Sequence, residues 1–200
     1  MSEYIENMFA IPIFHLYVDD WENKKQKLIE IANRQEYERK EGEYVDNDYY
    51  NPTKSYWEEI QPLLAIEIQR FVDQMDKNFT INRYWFERAS RGQQHLPHNH
   101  GATGFSAVCY VDYDETEHTP TRFLSPFNEF DRGLQITYEP HDIKSGSMIF
   151  FPSSIHHFTT PCESDKERLI LSFNLTPHTF NFPLVQEPSF EEPKLKINYI

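Results

Sequence analysis

Three things are scarce in this 200-residue sequence: cysteine, basic residues and long apolar runs. Its two cysteines, Cys109 and Cys162, are too few for a disulfide framework, so we expect free thiols in a reducing cytoplasm. No stretch approaches the ~18 apolar residues that a membrane span needs. The N-terminus carries acidic residues where a secretory signal carries Lys or Arg, so we expect no export.

The shortage of basic residues also excludes classes of partner. Nineteen Lys and Arg face 32 Asp and Glu, which gives a formal net charge of -13. Such a chain lacks the basic clusters that bind a nucleic-acid backbone or an anionic membrane surface, so we expect neither partner. Aromatic residues, in contrast, are plentiful, with 12 Tyr and 16 Phe. This composition favours a compact all-β or α+β domain with an aromatic interior.

The hydrophobic pattern predicts one domain, residues 1–200, in three parts. After an opening strand, residues 1–78 show helical spacing and form a mostly helical layer. Residues 79–176 change to period two, in short strands separated by turn residues, which is typical of a jelly roll. Residues 177–200 are rich in Pro and acidic residues and form a C-terminal extension. The predicted fold is therefore mainly β, with N-terminal helices packed on the sheet.

Five of the nine histidines lie in two clusters beside predicted strands: His95, His98 and His100, then His156 and His157. His98 and His100 are two residues apart, so in an extended segment both imidazoles face the same side. His156 and His157 follow a second strand, and alternation allows only one of them to point inward. Two imidazoles from the first cluster and one from the second would cap one side of a metal ion. Such a cap leaves open positions, as in non-haem iron centres that use oxygen.

At this point the sequence resembles a family, the 2-oxoglutarate- and iron(II)-dependent oxygenases, and within it a subgroup common in marine phages and bacteria. HNHGATGFSAVCYV, which starts at His98, resembles the first metal-ligand turn and the following strand. GSMIFFPS, which starts at Gly146, resembles the G-x-x-x-x-F-P-S strand of the subgroup. The spacing that follows it in the family selects His157, rather than His156, as the distal ligand. The resemblance covers residues 80–176 and implies a double-stranded β-helix of the cupin-like, jelly-roll type.

The resemblance also implies a cosubstrate site. Arg168 lies where these enzymes keep the arginine that pairs with the C5 carboxylate of 2-oxoglutarate, and a guanidinium grips a carboxylate at two points. Tyr110 and Ser172 are predicted to add hydroxyl hydrogen bonds to the same carboxylate. Asn174 is predicted either to line the pocket or to satisfy the end of its strand. Because core tyrosines and surface ion pairs give similar patterns, each of these roles also has a structural alternative.

The sequence departs from the family at the third ligand. The usual motif is His-x-Asp/Glu, and His100 occupies the acid position here. His100 can coordinate the metal, which is the interpretation we prefer. Alternatively, water or chloride fills the position, or an acid such as Asp112 or Asp114 replaces it. A neutral ligand in place of a carboxylate makes the centre one unit more positive.

The predicted function is therefore that of a non-haem Fe(II) oxygenase. With His98, His157 and His100 on the metal, it would couple the decarboxylation of 2-oxoglutarate to hydroxylation of a small molecule or a protein side chain. A cupin-like metalloenzyme with three histidines and no cosubstrate is one alternative, and a non-enzymatic jelly-roll module is another. The sequence identifies neither the substrate nor whether the chain forms a homodimer, and it places the protein in the cytoplasm, that of the host if a phage encodes it.

Overall fold

The computed structural model describes residues 10–39 and 44–178, and residues 179–200 of the predicted extension lie outside them. The elements, in chain order, are β1 (Phe14–Tyr17), α1 (Trp21–Asn33), β2 (Asp46–Asn47), α2 (Trp57–Met75), β3 (Phe79–Ala89), β4 (Phe105–Asp112), β5 (Arg122–Asn128), β6 (Gln135–Tyr138), β7 (Ser147–Pro152), β8 (His157–Phe158) and β9 (Arg168–Pro177). No helix within the described ranges is long and apolar enough to cross a membrane.

The strands form two antiparallel sheets. The larger one has the order β1-β7-β4-β9-β3-β2, and the smaller one has the order β6-β5-β8. Both edge strands of the larger sheet, β1 and β2, come from the N-terminal part of the chain. In addition to the two helices, that part therefore contributes the strands at both edges of the sheet.

Strict alternation along the central strands separates two cores. On β9, Leu169, Leu171 and Phe173 face the two helices, together with Cys109 of β4 and Phe150 of β7. The helices contribute apolar side chains at helical spacing to the same cluster: Trp21, Leu28, Ile31, Ile60, Leu64 and Phe71. This burial of aromatic and aliphatic area holds the helical layer on one face of the larger sheet.

The opposite face of the larger sheet packs against the smaller sheet. Val108, Ile149 and Ile170 meet Phe123 of β5 in a second cluster. Because side chains of a strand alternate, Arg168 and Ser172 fall on this inner face with Ile170. The space between the sheets is therefore where polar and charged side chains of β3 and β9 are buried.

Two sheets with helices on one face form a jelly roll, and the predicted fold class is confirmed. The period-two pattern was sufficient to predict this fold because the central strands β4, β7 and β9 are apolar toward the helices. The candidate metal site lies at the end of the inner space where β8 begins, next to the loop between β3 and β4.

Candidate metal centre

The structure brings His98, His100 and His157 together at one point. A reciprocal backbone bridge joins the first and the last: the N–H of His98 donates to the carbonyl of His157 at 3.1 Å, and the return bond is 2.9 Å. The N–H of His100 donates to the carbonyl of Ser153 at 2.9 Å, which holds the loop against the end of β7. As a result, one ring nitrogen of each histidine lies within 4.8 Å of the others.

Hydrogen bonds fix the orientation of all three rings. Nδ1 of His98 donates to the carbonyl of Leu96 at 2.8 Å, and Nδ1 of His157 donates to that of Ile155 at 3.0 Å. Nδ1 of His100 lies 2.9 Å from Oδ1 of Asn174. Since these oxygens only accept, each Nδ1 carries the proton and each Nε2 keeps its lone pair free.

The Nε2 atoms of His98 and His100 are 3.2 Å apart. Two lone pairs at this separation repel each other unless a cation lies between them. Ligand nitrogens at right angles on a metal ion, each at about 2.1 Å from it, are about 3 Å apart. The spacing and the tautomers therefore suit a metal ion.

Burial keeps these imidazoles neutral, which is the form that binds a metal. Desolvation, followed by the nearby His95, lowers the pKa of His98 to about 4. Desolvation also lowers the pKa of His100, and it lowers that of His157 well below its usual value. At neutral pH, protons therefore compete weakly for this cluster.

The alternative ligands that the sequence allowed, His156, Asp112 and Asp114, are not part of the histidine cluster. His156 is exposed, and its Nε2 lies 3.2 Å from Nδ2 of Asn99, as strand alternation predicts for the neighbour of an inward residue. Asp112 pairs with Lys25 at 2.9 Å, and Asp114 pairs with Lys166 at 2.6 Å. Neither acid joins the histidine cluster.

Arg168 is buried on the inner face, with 4% of its surface exposed. One Nη donates to Oε1 of Glu87 at 3.0 Å, and the other donates to the carbonyl of Thr119 at 3.3 Å. Its Nε has no hydrogen-bond partner among the described residues. A buried unpaired N–H is costly, so this edge of the guanidinium suits an incoming anion.

The other predicted cosubstrate residues are divided between two places. The hydroxyl of Tyr110 is buried and accepts the N–H of Thr121 at 3.1 Å, and Ser172 lines the cavity beside the histidines. Asn174 instead lies at the far side of the cluster, where it is bonded to His100 and to the hydroxyl of Ser106 at 3.0 Å. The contacts of Asn174 are therefore with a histidine and not with Arg168.

Sequence reasoning missed two residues of the site, Glu87 and Ser106. Glu87 binds Arg168 and lies 2.9 Å from Nδ1 of His95, whose ring stacks on His98 at 4.0 Å. Ser106 lies 2.8 Å from Nδ1 of His100. The signal for Glu87 is its place in INRYWFER, two residues after Trp85, because both side chains then face the inner space.

Three spaces adjoin the cluster, and one of them, of about 350 Å³, touches only His100 among the three histidines. A cavity of about 20 Å³ lies between the histidines, Glu87 and Ser172, and it has room for about one water molecule. A wider cleft of about 280 Å³ opens beside His98 and His100, and its wall includes Tyr49, Tyr50 and Trp85. The narrow cavity reaches Glu87, the partner of Arg168, and the wide cleft is the roomier of these two approaches to the histidines.

Comparison with known proteins identifies a family whose described activity depends on iron. The sequence pattern of the family described as "Putative 2OG-Fe(II) oxygenase", in which 2OG is 2-oxoglutarate, matches residues 83–174. That range contains Glu87, all three clustered histidines, Arg168 and Asn174. None of the curated proteins compared by sequence matches this chain.

Solved structures with the same fold include several oxygenases. An oxidoreductase of the 2OG-Fe(II) oxygenase family from Burkholderia pseudomallei is 16% identical, with a TM-score of 0.61 over 82% of this chain and 84% of its own. A prolyl-4-hydroxylase from Pseudomonas putida is 16% identical, with a TM-score of 0.58 over 85% and 95%. HygX from Streptomyces hygroscopicus, solved with nickel, 2-oxoglutarate and hygromycin B, is 12% identical, with a TM-score of 0.60 over 85% and 84%. At these identities the likeness establishes the fold.

Proposed function

Because residues 83–174 belong to the 2OG-Fe(II) oxygenase family, we propose that this protein holds Fe(II) through His98, His100 and His157 and hydroxylates a substrate at the expense of 2-oxoglutarate. The family membership does not favour a cosubstrate-free cupin or a non-enzymatic module. The observation that carries the ligand assignment is the convergence of three imidazoles whose Nδ1 atoms are all bonded to oxygen acceptors.

The residues of this chain divide the work between metal and cosubstrate. When bound, Fe(II) would allow O₂ to react with 2-oxoglutarate, which is thereby converted to succinate and carbon dioxide. The three neutral imidazoles leave coordination positions open for exchangeable ligands. Arg168, through its unpartnered Nε, would hold the carboxylate remote from the 2-oxo group. Ser172 and Tyr110 remain candidates for further contacts with the cosubstrate.

For the substrate, we propose entry through the wide cleft beside His98 and His100. Tyr49 makes an edge-to-face contact with Trp85 at 5.0 Å, and Trp85 makes one with His100 at 5.3 Å, so aromatic rings line the path to the histidines. Aromatic-lined grooves suit proline-containing peptides. The fold shared with prolyl hydroxylases supports a prolyl side chain as the first substrate to try, ahead of a small molecule.

We further propose that the protein works in the cytoplasm without nucleic-acid or membrane partners. Cys109 and Cys162 are free thiols, which a reducing compartment preserves. The net charge of -13 opposes binding to polyanions. Whether the active form is a homodimer can be read from its mass in solution.

The test is an anaerobic titration of the metal-free protein with Fe(II) and then with 2-oxoglutarate. A chelated 2-oxoacid on Fe(II) gives a weak visible charge-transfer band, which we expect in the wild type. His157→Ala should lose the band together with Fe(II) binding, because a buried ligand is removed. His156→Ala is the matched control and should keep both, since His156 is exposed and bonded to Asn99.

The outcomes separate the candidate functions. Fe(II) binding without a band would support the cosubstrate-free metalloenzyme. Failure of the wild type to bind Fe(II) would reject the metal centre. Equal loss of binding in His156→Ala and His157→Ala would reject the assignment of His157 as the inward ligand.

A further inference from the structure

Glu87 is a buried carboxylate in the wall of the narrow cavity. It lies on the inner face of β3 with 2% of its surface exposed. Oε1 accepts from Arg168 at 3.0 Å, and Oε2 lies 2.9 Å from Nδ1 of His95. The ring of His95 stacks on His98, so Glu87 contacts the arginine directly and reaches the histidine cluster through one residue.

The charge of Glu87 is maintained despite its burial. Desolvation alone would raise the pKa of this carboxyl, but His95 and Arg168 together lower it to about 2. The guanidinium of Arg168 therefore already faces one carboxylate at neutral pH. An arginine that grips a cosubstrate carboxylate in a buried site has no need of such a partner, so the pair calls for an explanation.

The charge of the metal ligands explains why Arg168 is paired with a buried carboxylate. His100 occupies the position where a carboxylate ligand is usual, so the three ligands bring no negative charge to a divalent ion. Glu87 returns one negative charge to the same enclosed space, on the wall instead of on the metal. The ion, Arg168 and Glu87 then sum to two positive charges, one fewer than the same pocket would carry without Glu87.

We propose that Glu87 is a specificity-determining residue of this pocket, which strengthens the hold on the divalent metal and weakens the hold of Arg168 on the distal carboxylate of 2-oxoglutarate. This proposal rests on the proposed function. Two carboxylates that share one guanidinium repel each other, and the repulsion is strong where water is excluded. A 2-oxoacid without a distal charge, such as 2-oxobutyrate, does not meet this repulsion.

The variant that isolates the charge is Glu87→Gln. The amide oxygen can still accept from Arg168, and the amide N–H can donate to His95, so the shape and both contacts are retained. We expect this variant to bind 2-oxoglutarate at least roughly tenfold more tightly than the wild type does, because one like charge has been removed from a partly screened site. Affinity for the metal should fall several-fold, and affinity for 2-oxobutyrate should change little.

The experiment is calorimetry with Ni(II), as a substitute for Fe(II) that should not support turnover, followed by each 2-oxoacid. Glu67→Gln is the matched control, because Glu67 of α2 is a fully buried carboxylate that pairs with Lys24 of α1 and does not line the cavity. The expected signature of Glu87→Gln is opposite in sign for metal and for 2-oxoglutarate. If the role of Glu87 were purely structural, Glu87→Gln would weaken the binding of both the metal and 2-oxoglutarate. Any general effect of losing a buried carboxylate would then appear in Glu67→Gln as well.

A measurement on the wild type covers the case in which Glu87→Gln does not fold. With Glu87 offsetting Arg168, the wild type should bind 2-oxoglutarate no more than about tenfold more tightly than 2-oxobutyrate. A preference above a hundredfold, or an unchanged ratio in a folded Glu87→Gln, would overturn the role of Glu87 and leave the proposed function intact. Absence of Ni(II) binding in the wild type would overturn the metal centre itself, and this proposal with it.

Discussion

The two ends of the narrow cavity are built in different ways. At the metal end, three neutral imidazoles from a loop and a two-residue strand are fixed by backbone carbonyls and one amide. At the anion end, Arg168 and Glu87, on neighbouring strands of the larger sheet, form a buried ion pair. The metal end is thus uncharged and can accept a cation. At the anion end, the positive charge of Arg168 is already paired with Glu87.

This difference has a physical consequence. A buried imidazole with a free lone pair gains by binding a cation, because the ion replaces water that burial has removed. A buried ion pair gains less from a further anion, because each partner is already compensated. We therefore expect the metal end to govern whether the site assembles and the anion end to govern which acid it accepts.

The largest predicted difference between the metal end and the anion end is the pH range in which each one loses stability in acid. His98 has an ordinary pKa of 6.5 and a folded pKa of about 4, and Glu87 has values of 4.5 and about 2. For both groups the unfolded chain takes up protons before the folded protein does, so stability falls as the pH falls through each interval. The metal-free protein should therefore weaken first from pH 6.5 toward 4 and again from 4.5 toward 2.

Urea unfolding of the metal-free protein at a series of pH values measures this. Added Ni(II) should hold the imidazoles unprotonated and move the first loss to lower pH, without moving the second. Glu87→Gln should remove much of the second loss and leave the first. A free energy of unfolding that stays level between pH 6.5 and 4.5 would contradict the assignment of the first loss to the histidine cluster.

The next effect concerns the anion end alone. Arg168→Met removes the charge that compensates buried Glu87, and breaking a buried ion pair in this way costs about 3–5 kcal/mol. The double variant Arg168→Met with Glu87→Gln removes both charges, so it should recover most of the stability and still bind 2-oxoglutarate poorly. Urea unfolding and Ni(II) calorimetry report the two properties separately.

Arg91→Met is the control for this series. Arg91 pairs with Asp165 at the surface, where both side chains are more than half exposed. Its loss should cost little stability, because both charges are well solvated without each other. If Arg168→Met were no more destabilising than Arg91→Met, Glu87 would not depend on Arg168 for its charge, and the contrast between the two ends would fail.

The metal end was largely predictable from sequence because its signals are local. The two-residue spacing of His98 and His100 and the alternation at His156 and His157 are properties of short segments. The structure brings the three predicted histidines together, and their role as ligands remains our proposal. The period-two strands likewise gave the jelly roll, which is confirmed.

The anion end was not predictable in the same way. Arg168 and Glu87 are 81 positions apart, and they meet only because β3 pairs with β9. Periodicity shows which face a residue takes but not which strand lies beside it. For this reason Arg168 was predicted from family resemblance alone, and the acid that accompanies it was missed.

The smallest effect decides the role of Asn174, which the sequence analysis placed among the cosubstrate contacts and whose structural contacts are with His100 and Ser106. Replacing it by Leu leaves Nδ1 of His100 without the amide acceptor, and loss of such a partner typically costs 10–100-fold in metal affinity. Asn174→Asp keeps an acceptor oxygen and should bind Ni(II) at least as well as the wild type. Asn82→Leu, which removes only an exposed bond to Thr176, is the control. If Asn174→Leu instead kept its Ni(II) affinity and lost 2-oxoglutarate, Asn174 would be a cosubstrate contact, and the metal end would depend on its carbonyls alone.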